Sequence, residues 1–131
     1  MRELETFVSV DLGRVPLDRL PVETGPDAAG STVEAGSATV GALWGAELGV
    51  WEMTEGRMDD VEVDEAFIVL SGHATVTLFA DDGERTIELA PGALCRLSAG
   101  MRTRWHVTST LRKVYLLPPP SSALARGQGE R

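Results

Sequence analysis

The chain has 131 residues, is 43% hydrophobic and 24% charged, and carries a formal net charge of −8, a size at which one domain buries its own core. Its longest uncharged apolar runs fall far short of the roughly 20 residues of a membrane span, and its charge repels phosphate backbones and anionic lipid surfaces. A soluble domain with no nucleic-acid or membrane partner is expected; Met1-Arg2-Glu3-Leu4-Glu5 shows no apolar leader, which makes the cytoplasm the default location.

In chain order, Phe7–Val10 reads as a strand, followed by Pro16, Pro21 and a turn-rich extended approach over Thr24–Gly41. Seven further strands are predicted: Ala42–Met53, Glu65–Leu70, Ala74–Phe79, Arg85–Leu89, Ala93–Leu97, Thr103–Val107 and Leu111–Leu117. They are rich in Val, Thr, Leu and aromatics and are separated by turn residues, among them Ser71-Gly72, Ala90-Pro91-Gly92 and Ser98-Ala99-Gly100. Asp81-Asp82-Gly83 predicts a tight hairpin, because Asp and Gly accept the positive φ angles such turns require. Pro118-Pro119-Pro120 opens a tail, 118–131, too poor in apolar residues to offset its own ordering. The organisation expected is an N-terminal strand and extended approach (1–41) packed on a barrel (42–117), then a disordered tail. The fold class is all-β, with no helix longer than about three turns.

Cys95 is the single cysteine, so no internal disulfide forms, and it reads as a small buried hydrophobe rather than a nucleophile. No Ser-His-Asp arrangement, phosphate-cradling glycine loop or Cys-x-x-Cys pair can be drawn.

Several landmarks in order carry a family likeness: Gly49-Val50-Trp51-Glu52, Asp64-Glu65-Ala66-Phe67-Ile68-Val69-Leu70-Ser71-Gly72, Asp82-Gly83, Pro91-Gly92, Ser98-Ala99-Gly100, Arg104-Trp105-His106-Val107 and Arg112-Lys113-Val114-Tyr115. Through them residues 45–117 resemble the cupin superfamily, in particular small single-domain cupins similar to the ureidoglycine aminohydrolase and ethanolamine-utilisation proteins. The resemblance implies a double-stranded β-helix (jelly-roll) barrel with a ligand cavity at its mouth, often paired as a homodimer. A barrel of short antiparallel strands with alternate residues lining its interior agrees with the pattern read from the residues.

The usual cupin metal pattern is a His-x-His pair, a glutamate, a glycine after six more residues, and a third histidine beyond a Pro-x-Gly turn. Glu65 and Gly72 keep their places, whereas the paired histidines become Met58 and Asp60, or Asp59 and Val61, and Thr103 falls on the third. A lone carboxylate holds a transition metal weakly, so no tightly bound metal and no cofactor are expected. His73 and His106 are expected on the outer surface.

Five carboxylates crowd into seven residues at Asp59, Asp60, Glu62, Asp64 and Glu65. The first four read as a solvated acidic loop, with capture of a cation or amine-bearing ligand as the other possibility. Glu65, turned to the cavity as the resemblance implies, is the candidate general acid or base, its pKa raised by desolvation unless a neighbouring arginine pairs with it. Trp51, Phe67 and Trp105 fall at inward positions by period-two alternation and either wall a cavity or fill the core. Thr103 shares the inward face of Trp105. Arg96, on a strand face with Leu94, is expected to pair with Glu65 or an anionic ligand. Arg102, Arg104, Arg112 and Lys113 form the one basic cluster, read as surface. Lys113 and Tyr115 also match the family's closing Arg-Lys-x-Tyr run and are kept as cavity candidates.

The leading functional expectation is a small-molecule-binding cupin that works without metal by acid–base chemistry of the isomerase, cyclase or lyase type, with Glu65 transferring the proton. The alternatives are a metal-dependent cupin enzyme similar to aminohydrolases and a non-catalytic sensor or structural dimer; a kinase-like activity is distant because no phosphate loop is visible. The partners expected are a small organic molecule and a second copy of the chain.

Overall fold

A computed structural model describes residues 1–22 and 32–119. The described chain is all-β, with eight strands and no helix: β1 (Leu20–Pro21), β2 (Glu34–Leu43), β3 (Ala46–Met53), β4 (Gly56–Val61), β5 (Glu65–Ala80), β6 (Gly83–Leu89), β7 (Leu94–Leu97) and β8 (Arg102–Leu117). No helix among the described residues is long and apolar enough to cross a membrane.

Two 16-residue strands, β5 and β8, pair antiparallel along nearly their whole length and serve both halves of the barrel. Their outer halves, Glu65–Ser71 and Arg112–Leu116, carry β7 on one side and β3, β2 and β1 on the other. Their inner halves, Ala74–Leu78 and Thr103–Val107, are flanked by β6 and β4. The change of direction falls at Gly72, where register shifts cluster between Val69 and Ala74. Gly72 has φ +88°, and a Cβ there would meet the Thr110 carbonyl oxygen at 2.0 Å. Only glycine fits this bulge. The inserted residue inverts the alternation, so Phe67 and Val69 are buried before it and Ala74 and Val76 after it. The Ser71-Gly72 turn expected between two strands is therefore a bulge inside one, and β8 likewise joins the two strands expected over 103–117.

The predicted Asp81-Asp82 hairpin is present, with Ala80 paired to Gly83. Three other expectations are corrected. Ala42–Met53 is not one strand: it divides at Trp44-Gly45, a two-residue turn with φ +51° and +88°, whose first position seldom holds a tryptophan and so sends no turn signal. Residues 34–41 of the expected approach belong to β2 in the sheet, while 24–31 lie outside the described residues, as do 120–131 of the expected tail. Phe7–Val10 is not a strand: Phe7 sits in a turn at φ +59° with its side chain fully exposed. The N-terminal segment crosses the outer face of β2, β3 and β8, bound by Leu4 N–H to Ala42 O at 2.8 Å and by Arg112, which donates to the carbonyls of Leu12 and Val15.

The main core, built on Phe67, Val69, Val76, Trp105, Val107, Leu111, Met53 and Val33, fills the space between the two halves.

Candidate functional site

On β8 the odd positions Thr103, Trp105, Val107, Leu111, Lys113 and Tyr115 are buried, and Arg102, Arg104 and His106 are exposed. Period-two alternation thus sends a lysine into the core, and its charge needs a partner. Lys113 Nζ lies 2.7 Å from Glu65 Oε2, with side chains 6% and 11% exposed. The same ammonium stands 4.2 Å from the Phe67 ring centre, 4.7 Å from Trp51 and 4.8 Å from Trp105. Three ring faces and one carboxylate hold this cation in place.

Above the pair lies a cavity of about 190 Å³ lined by Ser37, Trp51, Met58, Asp60, Glu62, Val63, Glu65, Trp105, Lys113, Tyr115 and Leu117. Trp51 and Trp105 form a wall, their ring centres 5.6 Å apart and tilted by 56°. Tyr115 crosses over Gly49, where a Cβ would fall 2.3 Å from the phenol oxygen, and its hydroxyl donates to Glu47 Oε2 at 3.4 Å. Burial, reinforced by the Glu47 charge, pushes the Tyr115 phenol up.

A second carboxylate faces this cavity. Glu62 is only 7% exposed, and its Oε2 accepts bonds from Thr103 Oγ1 at 2.6 Å and Trp105 Nε1 at 2.9 Å. Its backbone is stitched to the neighbouring turn by Glu62 N–H to Met101 O at 2.8 Å and Gly100 N–H to Glu62 O at 2.9 Å. Asp60, exposed at the mouth, has its pKa raised by partial burial and then by the Glu62 charge.

The acidic segment is therefore not the solvated loop expected. Gly56–Val61 is β4, and its pairing with β8 sets Asp59 opposite Arg104 and Asp60 opposite Thr103. Asp59 points outward to a two-bond pair with Arg104 at 2.7 and 3.2 Å, which lowers its pKa, whereas Asp60 lines the cavity. Asp64 accepts the Ala99 N–H at 2.9 Å. The sequence reading missed Glu62 because it lies past the end of β4, where alternation gives no guide. The signal that points to it is on the other strand: a buried Thr103 and indole N–H require an acceptor.

Other expectations divide. Trp51, Trp105, Lys113, Tyr115 and Glu65 converge on one cavity. Phe67 is fully buried beneath it, 5.7 Å from the Trp105 ring centre, so it supports the wall without lining it. Thr103 reaches the site only through Glu62. Arg96 does not pair with Glu65: the β5–β7 register sets it beside Ala66 on the outward face, with Leu94 73% exposed. The expected basic cluster is dispersed, because Arg112 turns to the outer face and pairs with Glu52 at 3.0 Å while its neighbour Lys113 turns inward. His73 and His106 are exposed. Cys95 packs against the core, and burial pushes its thiol up, away from the nucleophilic thiolate.

Cupins as a class imply a transition metal inside the barrel. The donor set here does not fit one: no histidine reaches the cavity, and the ammonium of Lys113 already lies against Glu65, the one carboxylate the family pattern retains. Among the described residues no group of three or more His, Cys, Asp or Glu side chains is placed to hold a metal ion.

The chain matches the model of the EutQ-like cupin domain over residues 40–115. Among solved structures it is similar to the Clostridium difficile EutQ protein, at 22% identity over 85% of this chain and 86% of that one with a TM-score of 0.61. The Schizosaccharomyces pombe Cnp3 cupin domain is similar at 16% identity over 95% and 82%, with a TM-score of 0.64. A putative ethanolamine utilization protein Q from Salmonella typhimurium LT2 is similar at 17% identity over 82% and 98%, with a TM-score of 0.54. No curated protein matches. The barrel, the bulge that turns it and the match over more than half its length agree that this chain is a cupin of the EutQ-like family.

Proposed function

We propose that this cupin binds a small organic molecule in the 190 Å³ cavity and acts on it without a metal, with Glu65 as the proton-transfer group. The observation that carries this reading is the Lys113–Glu65 pair at 2.7 Å, roofed by aromatic rings at the base of the cavity. A carboxylate beside an ammonium is a base and an acid at one point. Glu65 takes a proton from a bound molecule, and the Lys113 ammonium stabilises the negative charge that develops. Isomerisation, cyclisation and elimination need no more than this. An apolar wall with a few convergent polar groups is also the general form of a small-molecule site. We further propose that the chain works as a homodimer in the cytoplasm, which the exposed apolar residues Phe7, Leu20 and Trp44 support.

The test begins with untagged protein: metal analysis, and mass spectrometry of the small molecules that copurify. Bound molecules are then incubated with the protein in D2O and followed for carbon-bound deuterium. The expected result is exchange or conversion that Glu65→Gln abolishes while binding persists. Full turnover in Glu65→Gln, or a stoichiometric metal whose removal stops turnover, overturns the proposal. Light scattering checks the dimer, and a monomer at high concentration rejects it.

A further inference from the structure

Resting on the reading of the cavity as a small-molecule site, we infer that its ligand is a small organic cation of the primary-ammonium kind, gripped by Glu62 and Asp60 against the indole wall of Trp51 and Trp105. The charge of the lining favours a cation. The lining holds three acids, Asp60, Glu62 and Glu65, against one base, Lys113, a formal balance of −2. Lys113 is already engaged with Glu65 and three rings, so a ligand that arrives as an anion would face the remaining acids, Asp60 and Glu62. Partial burial and the charge of Glu62 hold the pKa of Asp60 up, and an added positive charge relieves that crowding.

One oxygen of Glu62 favours a donor ligand as well. Both donors to the Glu62 side chain, Thr103 Oγ1 and Trp105 Nε1, bond the same oxygen, Oε2. Oε1 has no hydrogen-bond donor among the described residues, although Glu62 is more than nine-tenths buried and lines the cavity. Buried carboxylate oxygens are rarely left without a donor, because desolvation without replacement is costly. The two fixed bonds orient the carboxylate and leave Oε1 as an acceptor for a donor from outside. An ammonium supplies up to three N–H groups and a charge, and indole walls attract cations. At about 190 Å³ the cavity equals roughly six water volumes of ~30 Å³ each, which suits a molecule of a few carbon atoms.

The experiment uses three probes with one four-carbon skeleton and different charge: butylammonium, 1-butanol and butyrate. Each is titrated into the 15N-labelled chain while the indole Nε1–H resonances of Trp51 and Trp105 are followed. Butylammonium is expected to shift the Trp105 resonance and saturate, with butanol at least about tenfold weaker and butyrate inert. Glu62→Gln is expected to weaken butylammonium by about tenfold or more. Asp60→Asn, at the exposed mouth where folding tolerates change, is expected to weaken it too and keeps the test open if Glu62→Gln misfolds. Equal or tighter binding of butanol or butyrate at these resonances, or butylammonium binding indifferent to both variants, overturns the cation inference and leaves the cavity as a ligand site. Failure of all three probes to move any cavity resonance overturns it as well, and then the binding reading of the cavity falls with it if no copurifying molecule moves those resonances either.

Discussion

Lys113 and Glu65 form a buried ion pair, and such pairs reveal themselves most clearly when one member is removed. Lys113→Met leaves the Glu65 carboxyl without its partner beneath aromatic rings, and a loss of about 3–5 kcal/mol in urea unfolding is expected. The double variant Lys113→Met with Glu65→Leu removes both charges and is expected to recover most of that loss; a double variant as unstable as the single one would contradict the pairing. Asp60 gives a pH test. Its folded pKa is raised above the ordinary 3.8, so the folded chain keeps a proton that the unfolded chain has released. Stability therefore falls as pH rises from about 3.8 through the raised value. Glu62→Gln withdraws the charge that contributes to the shift, and NMR titration should find the Asp60 pKa moved back toward 3.8.

At the scale of elements, the bulge at Gly72 lets one pair of long strands build both halves of the barrel. Gly72→Ala places a methyl group 2.0 Å from the Thr110 carbonyl oxygen at φ +88° and should cost about 3 kcal/mol or more. Gly83→Ala at φ +128° meets nothing within 4 Å, so it bears backbone strain alone and should cost less. Equal losses in the two variants would show that contact with β8 is not what demands glycine at 72. The outward Arg104–Asp59 pair on β4 and β8 is about half exposed or more on both sides, and Asp59→Asn should change stability by no more than about 1 kcal/mol. Its value lies in register, since it marks which carboxylates of the acidic strand face out.

At the scale of the whole molecule, the described core packs aromatic rings and aliphatic residues around the Lys113–Glu65 pair. Chelation is expected to leave the Tm unchanged in a melting experiment. A structural metal held at a thousandfold over its Kd would contribute about 4 kcal/mol, so its removal would lower the Tm by more than about 8 °C.

How much of this was legible beforehand varies with the range of the interaction. Short turn residues and period-two runs made the all-β class, the Asp81-Asp82 hairpin and the inward face of Thr103 and Trp105 readable, because those features depend on neighbours in sequence. The family landmarks added the barrel and singled out Glu65, Lys113 and Tyr115. Strand pairing decided the rest. Arg96 was the expected partner of Glu65 and Lys113 only a cavity candidate, and it is the register of β5 against β7 and β8 that turns the arginine outward and the lysine in. Glu62 looked like any acid in a charged run until β4 aligned with β8 and the turn at Gly100 brought it to Thr103 and Trp105, 41 and 43 residues away. Sequence by itself determined which side chains alternate and where the chain turns, since those follow from local sterics. The tertiary structure decided which buried charges meet, since that depends on contacts between strands far apart in the chain.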